Sequence, residues 1–247
     1  MAEQQTWYGA VEVIEPHVVR ILTPRGAGTG FLVACSPKGD LIALATAAHV
    51  IEHAHSWEDP IRIEHTKTGQ AVLLKTEDRA VFIEAGQDTA AIVVSADKLP
   101  FPKEALPLAP EKKHLKVGND IGWLGFPAIS STNLCFFGGR ISAWISGAYL
   151  VDGVAINGVS GGPAFHLTAA GPVVIGVVSA YVPNRATGES LPGLAVVRDV
   201  TQYHEIVKEF KSLAEAKKEE TPPAPNPPAA EEPKGELPTK ARHLRSD

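Results

Sequence analysis

The sequence predicts an all-β protein, a barrel or sandwich built in two halves, followed by one helix and an unstructured tail. Three observations lead there. From residue 8 to about 197, short runs of aliphatic and β-branched residues alternate with Gly, Pro, Asp and Asn, the pattern of strands and turns. The run LPFPKEALPLAPEKKHLKVGN at 99–119 holds four prolines and little periodicity, so it separates the strands into two groups. After Asp199 the period changes: Tyr203, Ile206, Val207, Phe210 and Leu213 recur at helical spacing.

In chain order, VEVI, HVVRIL, GFLVA and LIALAT read as strands, and TAAHVIEHAH is the one stretch among them able to form a short helix. IRIEH, AVLLK, AVFIE and TAAIVV complete a first group over about 8–98. Residues 99–114 form the linker. DIGWLGF, GRISAWI, PVVIGVVSAYV and GLAVV make the second group, about 115–198. The amphipathic helix, 201–216, lays its apolar face on this body, which gives one domain at 8–216. From Thr221 onward seven prolines fall in 27 residues with hardly an apolar group, so 221–247 cannot offset the entropy of ordering and is expected to be disordered.

The totals are those of an ordinary globular chain. With 247 residues, 44% apolar and 21% charged, it can bury a real core. A net charge of −5 offers no basic field for phosphates, so nucleic acid is not an expected partner. No apolar run reaches the roughly 20 residues that a bilayer requires, and MAEQQTWYG lacks the features of a signal peptide, so a cytoplasmic location is expected. Cys35 and Cys135 are the only cysteines, and two free thiols fit that compartment better than a bridge.

Three strings carry candidate chemistry: TAAHV at 46–50, QDTAAIVV at 87–94 and NGVSGGP at 157–163. A serine hydroxyl needs a base within hydrogen-bond reach, and neutral imidazole suits that task. The imidazole needs a carboxylate on its far side to set its tautomer and to stabilise its charged form. A glycine-rich turn lets backbone amides converge on a developing oxyanion. Asp88 lies 39 residues after His49, and Ser160 lies 72 after Asp88.

In that order and spacing the chain resembles the trypsin/chymotrypsin-like serine peptidases, and within them the disulfide-poor bacterial Deg/HtrA type without a PDZ domain. GAGTGFLV, KVGNDIGWLGFP, GGRISAWI, GVVSAY and GLAVVRDV extend the likeness over roughly 25–200. The resemblance implies two six-stranded antiparallel Greek-key barrels with a cleft between them. It implies an endopeptidase acting on polypeptides, with His49, Asp88 and Ser160 as the triad. Gly158 and Ser160 would supply the oxyanion donors. Val154 would stand at the base of the acyl-side pocket, with Ser179, Ala180 and Tyr181 as one wall. An uncharged pocket base implies cleavage after small or medium aliphatic residues. No metal or cofactor is expected. Val159 stands where the family commonly has Asp or Asn, which excludes maturation through an Asp paired with a new N-terminus.

Other readings compete at single positions. GVSGG also satisfies the G-x-S-x-G elbow of α/β-hydrolases, but Gly161, Gly162 and Pro163 forbid the helix that must follow. His49, Glu52 and His53 match the H-x-x-E-H of zinc peptidases, in surroundings of strands rather than helices. Asp78, ten residues before Asp88, is read as a surface carboxylate. A trypsin-fold scaffold without turnover is the alternative to an enzyme.

Overall fold

The computed structural model describes residues 6–183 and 190–219; the segment 221–247 lies outside them. In the first half, β1 (Val18–Thr23) pairs with β2 (Gly26–Cys35), and β2 with β3 (Leu41–Thr46). Beyond β1 come β4 (Ile61–His65) and β5 (Ala71–Leu74); beyond β3 come β7 (Thr89–Ser95) and β6 (Ala80–Glu84). All of these pairs are antiparallel.

The resulting order, β5-β4-β1-β2-β3-β7-β6, is a seven-stranded sheet rather than the closed six-stranded ring expected. One strand position is split. Residues 75–79 leave the ladder through a 3-10 turn at Thr76–Asp78, so β5 bonds only to β4 and β6 only to β7. Arg79 occupies the break, donating to the carbonyls of Leu74 at 2.8 Å and Asp59 at 2.7 Å. Side-chain bonds there replace a missing ladder.

The second half matches expectation more simply. Strands β8 (Asp120–Gly125), β9 (Cys135–Ile145), β10 (Ala148–Asp152), β11 (Pro163–Thr168), β12 (Gly171–Pro183) and β13 (Ser190–Asp199) close as β10-β13-β12-β11-β8-β9. Val19, Ile21, Leu44 and Ile92 form one apolar cluster within the first half, while a larger one built on Ile121, Trp123, Val151 and Phe165 of the second extends to Phe31, Ala45 and Ala91 of the first. The proline-rich connection is pinned to the second barrel, because the Ala109 amide donates to Val174 O at 2.7 Å and the Val174 amide to Pro107 O at 2.9 Å.

VEVI, expected as a strand, instead ends the helix α1 (Trp7–Ile14). Thr6 caps it by accepting the Gly9 amide at 3.1 Å, and Pro16 follows within two residues of its end. Ala10 and Ile14 are buried, and the Trp7 ring lies 5.6 Å from Phe136 and 5.9 Å from Phe165. A four-residue apolar run fits either period, so the cap and the available barrel face decided it.

The predicted short helix is α2 (Ala48–Ser56), and the C-terminal one is α3 (Thr201–Glu219), slightly longer than expected. Asp199 starts α3 by accepting from the Thr201 amide at 3.1 Å and its hydroxyl at 3.0 Å. Tyr203, Ile206 and Phe210 are buried, and the helix crosses β2, β3 and β7. Burying Ile206 and Phe210 stabilises this docking by about 1.5–3 kcal/mol each. Among the described residues no helix is long and apolar enough to cross a membrane.

Candidate active site

Helix α2 begins without a cap of its own. Its N-cap residue is Ala47, which has no side-chain acceptor for the orphan amides of the first turn. Asp88 supplies them from the β6–β7 connection: its backbone carbonyl accepts the Ala48 amide at 3.2 Å, and Oδ1 accepts the His49 amide at 3.0 Å. Asp88 follows the 3-10 turn Ala85–Gln87 with φ 51° and ψ 42°, a left-handed conformation that aspartate tolerates better than most residues.

That turn also brings the carboxylate to the imidazole. His49 Nδ1 lies 2.9 Å from both Oδ1 and Oδ2 of Asp88, and the Ser179 hydroxyl donates to Oδ2. Burial alone would raise the Asp88 carboxyl. The bonds from the His49 ring, the Ser179 hydroxyl and the His49 amide together outweigh it, so the group sits below the usual carboxylate range.

Ser160 comes from the other half, in the loop 153–162 between β10 and β11. The first half holds this loop through Thr29 of β2. The Thr29 amide donates to Ser160 O at 2.8 Å, and its buried hydroxyl donates to Gly158 O at 2.8 Å while accepting the Phe126 amide at 3.1 Å. Asn157 O accepts the Ala128 amide at 2.7 Å, so the trans peptide that follows aims the Gly158 N–H the opposite way. Among the described residues neither the Gly158 nor the Ser160 amide has an acceptor. Two open amides beside a hydroxyl suit an oxygen that gains negative charge.

Gly158 has φ 92°, and a Cβ there would collide with Phe126 O, so the turn depends on glycine. Val159 explains the departure from Asp or Asn: it is fully buried and packs against Gly125, away from solvent. An acid there would be buried in the core.

His49 and Asp88 from one half thus meet the loop of Ser160 from the other, and a cleft of about 600 Å³ opens beside His49 and Ser160. The chain has the trypsin-like fold. It is similar to the Rv3671c protease of M. tuberculosis H37Rv, solved in an inactive form as a serine-to-alanine mutant, with a TM-score of 0.57 and 21% identity over 82% of this chain and 90% of that one. A second structure of that protease in its inactive form gives a TM-score of 0.56 at 22% identity, covering 81% of this chain and 91% of that chain. A serine endoprotease from Yersinia pestis is similar too, with a TM-score of 0.60 and 19% identity over 85% of this chain and 68% of that one. These neighbours are serine proteases. No family model and no curated protein matches the chain.

Within this trypsin-like frame the residues singled out in the sequence take different places. His49 and Asp88 are bonded directly. Ser160 is beside them, but its hydroxyl donates to Ser179 O at 3.2 Å rather than to the imidazole. Ser179 is 3% exposed, its hydroxyl donates to Asp88, and its carbonyl accepts the Ser160 hydroxyl. Val154, in the loop before Ser160, is 47% exposed. The side chains of Ala180 and Tyr181 fall outside the described residues.

The competing motif residues are also accounted for. His53, one turn along α2 from His49, stacks on Trp57 with Nδ1 3.6 Å from Asp59, while Glu52 is exposed. Asp78 pairs with Lys98 at 2.7 Å and accepts the Lys75 amide, a structural role in the break between β5 and β6. Cys35 and Cys135 are free thiols. Two supporting residues escaped the sequence reading. Thr29 stitches the serine loop to β2, and the buried Tyr203 hydroxyl donates to Thr46 O at 2.6 Å, three residues before His49.

Proposed function

We propose that the protein is a serine endopeptidase of the Deg/HtrA type that hydrolyses polypeptides through an acyl-enzyme on Ser160. The observation that supports this most directly is the His49–Asp88 pair standing beside Ser160 where the two halves meet. On substrate binding, the Ser160 hydroxyl turns from Ser179 O to His49 Nε2, which takes its proton as Oγ attacks the scissile carbonyl. Asp88 keeps the Nδ1 proton on the ring and stabilises the imidazolium. The Gly158 and Ser160 amides receive the oxyanion. His49 then protonates the leaving amine, and water repeats the sequence on the acyl-enzyme. The free thiols fit a cytoplasmic location.

On the acyl side we propose small or medium aliphatic residues, since Val154 offers no counter-charge to Lys or Arg. A second reading, a scaffold without turnover, draws on the Ser160 hydroxyl pointing at Ser179 O. A fluorophosphonate probe and a peptide-library digest decide between them. The peptidase labels at Ser160 and cuts after Ala, Val or Leu, whereas Ser160→Ala neither labels nor cuts, a loss on the order of 10⁴ or more. An unlabelled wild type without turnover supports the scaffold. Cleavage concentrated after Lys and Arg overturns the pocket assignment alone.

A further inference from the structure

The cleft beside His49 and Ser160 runs beneath the turn that joins β1 to β2, and Val154 and Ser179 are not among the residues that line it. It therefore lies on the side of His49 away from the proposed acyl pocket, the side where a leaving amine collects its proton. Its walls carry Arg20, Arg25, His49 and His53, and among the described residues no Asp or Glu lines it. This is unexpected in a chain of net charge −5.

The two arginines are not neutralised in place. Arg25 is exposed, and among the described residues it has no carboxylate within ion-pair distance. Arg20 reaches Glu64 with Nη1 at 3.2 Å, but its buried Nε has no partner, and Glu64 also takes Arg62 Nε at 2.7 Å. One carboxylate serves two guanidinium groups, so the cluster stays positive. A planar guanidinium presents a fork of donors matched to a carboxylate, which makes arginine selective for that group.

We propose that this cleft selects an acidic residue, Asp or Glu, one or two positions beyond the scissile bond, with Arg25 as the main specificity determinant and Arg20 behind it. The proposal rests on the peptidase reading for the direction of the chain. A partly exposed pair under screening favours the acid by about two- to five-fold over alanine and disfavours lysine by a similar factor.

The test uses the full chain and quenched-fluorescent peptides with one aliphatic acyl-side sequence and Asp, Ala or Lys at the two positions after the scissile bond. The expected order of kcat/KM is Asp, then Ala, then Lys, with the spread shrinking at high salt and the order reversing in Arg25→Glu. Wild-type values within two-fold of one another, or an unchanged order in Arg25→Glu, overturn the site. Binding of the same peptides to Ser160→Ala, read by fluorescence anisotropy, separates the two levels. Preferential binding of the Asp peptide without wild-type turnover keeps the acidic site and overturns the peptidase; turnover without an acid preference in either assay does the reverse.

Discussion

Replacing Asp88 with asparagine changes one atom where three donors converge: the His49 ring, the His49 amide and the Ser179 hydroxyl. Asparagine accepts the left-handed backbone at φ 51° as readily as aspartate, so the fold of the connection should persist. The amide keeps one acceptor oxygen and presents an NH₂ group to a donor. If the NH₂ faces the ring, His49 must offer a bare Nδ1 and carry its proton on Nε2, where it can no longer accept from Ser160. The expected loss in kcat is about 10⁴-fold, or about 5.5 kcal/mol of transition-state stabilisation. The stability loss should be smaller, about 1.5–3 kcal/mol for charge-assisted bonds. Peptide kinetics and urea denaturation on the same preparation measure both. Asp78→Asn, altering a carboxylate that pairs with Lys98, serves as the comparison and should retain turnover. An Asp88→Asn enzyme within ten-fold of wild type would refute the orienting role.

Other outcomes follow from single contacts. Acid should erode what Asp88 contributes: its folded pKa lies below the unfolded value near 3.9, so that stability is complete above about pH 4 and is lost as pH falls through the folded pKa. The urea stability gap between wild type and Asp88→Asn should therefore narrow on going from pH 5 to pH 3, and a constant gap counts against the bond pattern. Gly158→Ala forces a side chain into Phe126 O at a positive φ and should cost about 10²–10³ in kcat by moving an oxyanion donor; wild-type kinetics would contradict the placement of that amide. Tyr203→Phe removes a donor from Thr46 O inside the core and should lower urea stability by about 1–2 kcal/mol, whereas an unchanged midpoint would mean the bond adds nothing.

What the sequence disclosed was what it stores locally. Most strand runs and the helical period after Asp199 lie within windows of ten to twenty residues, and these produced the expected strands and α3. The strings around His49 and Asp88 stood out by content and order, and the structure brings these two side chains into contact. Contacts made by folding were not legible. Nothing near Thr29 signals that its hydroxyl reaches Gly158, 129 positions away, and nothing near Tyr203 points to Thr46, 157 positions away. The bond from the Ser179 hydroxyl to Asp88 was hidden for the same reason, since the two residues lie 91 positions apart. VEVI failed differently: a four-residue apolar run leaves its period ambiguous until Thr6 caps it and Trp7 finds Phe136 and Phe165.

The bond from Tyr203 to Thr46 bears on when the protein becomes competent. Synthesis runs from the N-terminus, and His49, Asp88 and Ser160 are all made before the residues of α3. Until Tyr203 and Phe210 reach β2 and β3, the strand leading into His49 lacks its buried tether, and the apolar surface they cover stays open. A nascent chain on the ribosome therefore carries His49, Asp88 and Ser160 before it carries the helix packed behind them. The strand before His49 gains its buried tether only once the last helix has been made.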